Sequence, residues 1–187
     1  MMTPDEYVQF KAFARQDGAL LALCWIASFA FYVYGTGSPM MMGLGLVAAI
    51  CSPFFAAQRL RLFRDRARDG VISFRRSWAY YALIFFYAGI LFALAQYLYF
   101  EFLDKGFMLS QVMQVWSSTE GQQMLKAYGL TETLKESIDM MAKLRPIDYA
   151  LNDLTLTITL GLILGLPFGA LMKRDQNMKQ ANNEPKK

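Results

Sequence analysis

An all-α fold is predicted: a bundle of four transmembrane helices with an extracytoplasmic amphipathic helical hairpin between the third and fourth. Three observations predict it. Hydrophobic residues make up 55% of the 187-residue chain and charged residues only 18%, against about 45–50% and about 25% in soluble domains. Residues 18–58, 77–100 and 154–172 contain no Asp, Glu, Lys or Arg, and uncharged apolar runs of that length read as membrane spans. Arginines and lysines cluster beside these runs rather than in a domain of their own, which is the pattern of membrane topology and not of nucleic-acid binding.

At the N-terminus, Thr3-Pro4-Asp5-Glu6 combines a capping threonine, a proline suited to the first helical turn and a glutamate at capping-box spacing. A helix is expected to start here. Tyr7, Phe10 and Ala14 share a face beside Lys11 and Arg15, so the segment is expected either to lie flat in the headgroup region or to form a short soluble lead into the first span. Its acidic start, with a second apolar run close behind, argues against a cleaved signal peptide.

The first uncharged run is too long for one helix of about 20 residues. Gly35-Thr36-Gly37-Ser38-Pro39 divides it, giving antiparallel spans over roughly 19–35 and 39–57, and Pro53 removes one backbone donor from the second. Residues 58–76, with Arg59, Arg61, Arg64, Arg66, Arg68, Arg75 and Arg76, read as a cytoplasmic loop. The third span covers roughly 75–100, with Trp78, Tyr80 and Tyr81 at one end and Tyr97 and Tyr99 at the other, both suited to the membrane–water interface. The fourth covers 146–172, starting at Pro146 and closing before Lys173 and Arg174. The polar tail, 176–187, reads as disordered. Of the 19 lysines and arginines, 14 fall on the side of the two termini and 5 on the other, which predicts cytoplasmic N- and C-termini.

Between the third and fourth spans, 101–145 is expected to form two helices on the outer side. Ser110 is the candidate cap of the first and Gly129 its stop, while Thr133 and Glu136 have capping-box spacing for the second. Trp116, Leu134, Ile138 and Met141 form the expected surface toward a membrane-protein partner or a second copy, with packing on the chain's own spans or on lipid as the competing use. In the fourth span Gly161, Gly165 and Gly169 recur every four residues and offer a face for close helix packing, internal or between copies. Gln96, Asn152 and Asp153 are expected at similar depth near the outer face. They form either an interfacial anchor or a polar site for an ion or small solute. Thr155, Thr157 and Thr159 are expected to bond back to their own helix.

The absence of histidine excludes histidine-ligated metals and Ser-His-Asp catalysis. Cys24 and Cys51 both fall in an uncharged run and read as small buried hydrophobes, without metal spacing or a disulfide framework. No glycine-rich phosphate loop or other cofactor motif occurs. The chain therefore reads as non-catalytic, a structural or interaction component, with a small transporter or channel as the alternative.

The order of elements from about residue 15 to 175, Gly70-Val71-Ile72-Ser73-Phe74 before the third span, the outer helical segment ending at Pro146, and the glycine-bearing last span closing with Lys173-Arg174 together resemble the bacterial membrane family catalogued as domain of unknown function 4199. The resemblance implies an inner-membrane location. It implies no activity, cofactor or catalytic residue, because none is established for that family.

Overall fold

The computed structural model describes residues 3–35 and 38–174. Among the described residues there are seven helices, α1 (Pro4–Tyr34), α2 (Pro39–Ala67), α3 (Phe74–Phe102), α4 (Phe107–Ser117), α5 (Thr119–Tyr128), α6 (Thr131–Lys143) and α7 (Pro146–Met172). An antiparallel bridge joins Ile72 to Arg174. Four of the helices, α1, α2, α3 and α7, are long and apolar enough to cross a membrane, so the chain is a multi-pass helical membrane protein. The tail expected to be disordered lies outside the described residues.

The capping box at the start of α1 is formed: Glu6 N donates to Thr3 Oγ1 at 3.2 Å and Thr3 N to the Glu6 carboxylate at 3.0 Å. The two arrangements expected for residues 4–18, a flat interfacial helix or a soluble lead, are both replaced by one continuous helix of 31 residues. The physical reason is tertiary. Phe10 and Ala14 are buried, with Phe10 set edge-on to Phe63 of α2 and Tyr80 of α3, so the apolar face of this segment is covered by protein rather than by headgroups.

The arginine-rich stretch is corrected in the same way. Residues 58–67 continue α2, leaving only 68–73 between α2 and α3. Ala56, Ala57, Leu60 and Phe63 are buried at helical spacing between the arginines, and several of those arginines have local acceptors. Arg59 meets Asp17, Arg64 meets Asp65 and, at 3.0 Å, Met172 O, while Arg68 meets Glu6 at 2.7 Å. Pro53 is tolerated inside α2 because the Ser52 hydroxyl donates to Ala49 O at 2.7 Å. That carbonyl is the acceptor to which residue 53 would otherwise give its missing N–H.

The segment between α3 and α7 has three helices where two were expected. Ser118 ends α4 and caps α5, its Oγ accepting from Gly121 N at 3.1 Å and donating to Val115 O at 2.7 Å. Ser110 caps nothing; it donates to Phe107 O inside α4, and the Asp104 carboxylate instead receives the N–H groups of Gly106 and Met108, each at 3.0 Å. Gly129 does stop its helix, at φ +65°. Thr133 lies inside α6, which starts at Thr131 after Leu130, with no side-chain cap. Cys24 is half-buried, and Cys51, expected to be buried, is exposed on the bundle surface.

Helices α1 and α2 pair closely, α1 rests on α3, and α3 on α7. The ring contact Phe54–Phe168 and the Arg64–Met172 hydrogen bond between α2 and α7 both lie in their C-terminal halves. Their N-terminal halves line the two sides of a groove.

Candidate functional site

At the end of the bundle that carries the termini, Asp17 is 2% exposed. Its Oδ1 receives Arg59 at 2.6 Å and its Oδ2 the Tyr80 hydroxyl at 2.6 Å. This ties α1, α2 and α3 together at one depth, and Phe63 stacks on Tyr80 beside it, centroids 4.2 Å apart. The network was not anticipated from the sequence. A signal was nevertheless there: Asp17 immediately precedes the 18–58 uncharged run and Arg59 immediately follows it, so folding that run into an antiparallel hairpin brings the two to the same level.

The α7 glycines meet α3. A Cβ on Gly165 would lie 2.9 Å from Trp78 Cδ1 and one on Gly169 3.0 Å from Trp78 N, while Gly161 presses on the Phe85 ring. Trp78 Nε1 donates to Leu162 O at 3.0 Å across the same contact. The face is thus occupied by a helix of the same chain. Thr155 and Thr159 bond back to Leu151 O and Thr155 O, each at 2.8 Å. Thr157 differs: it is buried against Gly89 of α3.

Two adjoining cavities occupy the opposite end. The first, ≈ 530 Å³, is an apolar groove between the N-terminal half of α2 (Met42 to Pro53) and α7 (Asp153 to Leu164), floored by Trp25, Phe29, Phe85 and Phe92. The second, ≈ 450 Å³, is a chamber under α4 and α6 in which Gln96, Asn152 and Asp153 all take part, together with Asp104, Phe100 and Tyr149. Phe29, Tyr32 and Asp153 line both, so the chamber and the groove lie side by side. Phe100 stacks on Tyr149 at 4.5 Å, and the Tyr149 hydroxyl donates to Met141 O at 2.8 Å, fastening α6 over the chamber.

Within the chamber Gln96 is 8% exposed. Its carbonyl oxygen Oε1 is buried and has no partner among the described residues. Asp153 is half-buried and Asn152 exposed. At the rim, just before α7, Arg145 is bonded to Asp148 at 2.9 Å, and this hydrogen bond, then the carboxylate charge, raise the pKa of the guanidinium further. Trp116, Leu134, Ile138 and Met141 are each half-buried, and Met141 lines the chamber. The more exposed apolar residues of α4–α6 are others, among them Met113, Val115, Met124, Tyr128 and Met140.

These features define a class: a multi-pass helical membrane protein in which two of the long helices, α2 and α7, meet at one end and part at the other around an apolar groove. The chain belongs to the family described as "Protein of unknown function (DUF4199)", whose model matches residues 16–174. No curated protein and no solved structure matches it.

Proposed function

We propose that this is a non-catalytic inner-membrane protein, with both termini in the cytoplasm and α4–α6 on the outer face, that works by binding an amphiphile in its joined cavities. The observation that carries the reading is their adjacency: a polar chamber and an apolar groove share Phe29, Tyr32 and Asp153, the arrangement that suits a polar head joined to an apolar chain. A groove of ≈ 530 Å³ is within the range of about 300–1,000 Å³ usual for ligand sites. Measured along α7 from Asp153 to Leu164, the groove is roughly 16 Å deep at ~1.5 Å per residue, close to half of the ~30 Å hydrocarbon core. One leaflet's chain fits that depth. The orientation is supported by the excess of lysine and arginine at the end with the termini.

A membrane-protein partner or second copy would meet α4–α6 on the side of Trp116, Leu134, Ile138 and Met141, which keep part of their apolar surface uncovered. The transporter reading is favoured by the same adjacency, since a passage between chamber and groove would also be a route.

In a variant lacking Cys24 and Cys51, a single cysteine at position 114 is expected to react with an impermeant maleimide in intact spheroplasts, and one at position 66 only after lysis. The reverse pattern overturns the orientation. Copurifying lipid, extracted and weighed against protein, should fall in Ala49→Trp, which fills the groove; an unchanged ratio overturns the binding reading. Solute flux in liposomes that is abolished by Asp153→Asn would replace binding by transport.

A further inference from the structure

We propose that the corner where α2 and α7 end together binds the phosphate of an anionic phospholipid, at the opposite end of the bundle from the groove and independently of it. The two helices arrive there level. Arg64 Nη1 donates to the carbonyl of Met172, the last residue of α7, at 3.0 Å, and Ile72 and Arg174 bridge just beyond. No charged residue occurs in α2 up to residue 58 or in α7 from 154 to 172, so the charges that follow stand at the depth of the lipid phosphates.

At this corner cations outnumber carboxylates. Residues 61–69 and 173–174 hold Arg61, Arg64, Arg66, Arg68, Lys173 and Arg174 against Asp65 and Asp69. Arg64 is held by Asp65 and Arg68 by Glu6, each at 2.7 Å. Arg61 stands 3.7 Å from Asp65 and is 68% exposed, a pairing of little worth, and Lys173 is exposed. The C-terminus of a helix disfavours an anion, but Arg64 bonds the final carbonyl of α7 and offsets that charge. Arg61 and Lys173 are therefore the groups ready to meet an anion, and a guanidinium fork matches a phosphate in particular.

The surface beside them selects the source of the phosphate. Val47, Phe54 and Arg61 recur every seven residues, close to two helical turns, and so share one face of α2. Val47 and Phe54 are both exposed on that face, as is Leu171 of α7, two residues before Lys173. An apolar stripe thus leads to the cations, which is the order in which a lipid presents its chain and its phosphate. A soluble anion or an acidic peptide would gain nothing from the stripe. A zwitterionic head would bring an ammonium of its own to a cationic corner, so a net negative head is favoured.

The test uses the full-length protein in phosphatidylcholine nanodiscs doped with spin-labelled phosphatidylglycerol or phosphatidylcholine carrying the same labelled chain, and reads the motionally restricted fraction. Wild type is expected to prefer phosphatidylglycerol by at least about fivefold, the ratio that one charge near the surface supplies. Arg61→Gln with Lys173→Gln should bring that preference close to unity; both side chains are exposed, so the fold is expected to survive. Arg15→Gln with Arg75→Gln, which removes the same charge from exposed positions on α1 and α3, should retain it. Equal restriction of both lipids in wild type overturns the assignment, and an acidic protein segment would replace the lipid. An undiminished preference in the Arg61 and Lys173 variant also overturns it, as does an equal loss in the two double variants, which would trace the preference to the summed charge of this end. Sodium phosphate in place of sodium chloride at matched ionic strength should leave the preference intact; its loss under phosphate would make the corner a site for the free ion and not for a lipid.

Discussion

At the end that carries the termini, Phe10, Phe63 and Tyr80 pack ring to ring, Asp17 is held by Arg59 and Tyr80, and Ile72 and Arg174 exchange backbone hydrogen bonds. At the other end α2 and α7 part beside cavities of ≈ 530 and ≈ 450 Å³, and the short helices there bury few side chains, with none fully buried in α4 or α6. The difference teaches where each kind of polar residue can be used. A carboxylate fully bonded in a closed end acts as a clasp, whereas the buried amide of Gln96 beside a cavity keeps an acceptor without a donor among the described residues.

The comparison can be broken most severely at the clasp. Asp17→Leu removes the acceptor of both Arg59 and Tyr80, and stranding a buried partner in this way costs about 3–5 kcal/mol. Thermal unfolding in detergent should show a large loss, and an unchanged midpoint would mean that the closed end is not held by this network. Gly161→Leu comes next. Its side chain has to enter the space of the Phe85 ring, and overpacking of this kind costs about 1–3 kcal/mol; the same assay reads it, and a neutral result would show that α7 can draw away from α3.

A smaller and sharper effect is expected at the proline. Ser52→Ala leaves Ala49 O without its donor, a loss of about 1 kcal/mol. Adding Pro53→Ala should recover it, because the restored N–H reaches the same carbonyl; failure of the second change to rescue the first would reject the substitution mechanism. The smallest effect belongs to Gly43→Ala at the parted end. A Cβ there meets nothing within 4 Å, so stability should be unchanged or slightly raised, as expected for alanine in a helix. A clear loss would indicate that α2 is covered on that side.

Much of the fold was legible because it depends on local and additive properties. Pro146 and Lys173-Arg174 bracket α7, which runs Pro146–Met172, and the Thr3 capping box opens α1, because caps and hydropathy act within a turn or two. The end of α2 was not legible: arginines count against a span in any hydropathy reading, and only the partners Asp17, Asp65, Glu6 and Met172 O make a helix through them favourable. The break at Ser118 was missed because Ser117-Ser118-Thr119 offers several equivalent caps. Which serine is used depends on where Gly121 fits against α4.

Gln96, Asn152 and Asp153 could be grouped from their depth along two antiparallel helices, since rise per residue is fixed. Depth carries no rotation, however, and rotation decides that Gln96 is buried while Asn152 is exposed. By itself, then, the sequence determined the number of long apolar helices, their order and the ends of several of them, because the lengths and polarities involved are properties of single segments. Only the tertiary structure decided that α2 and α7 meet at one end and part at the other, and that Gln96 of α3 is buried with an acceptor left over. Those are outcomes of which faces turn toward each other, and a face has no partner until the helices are packed.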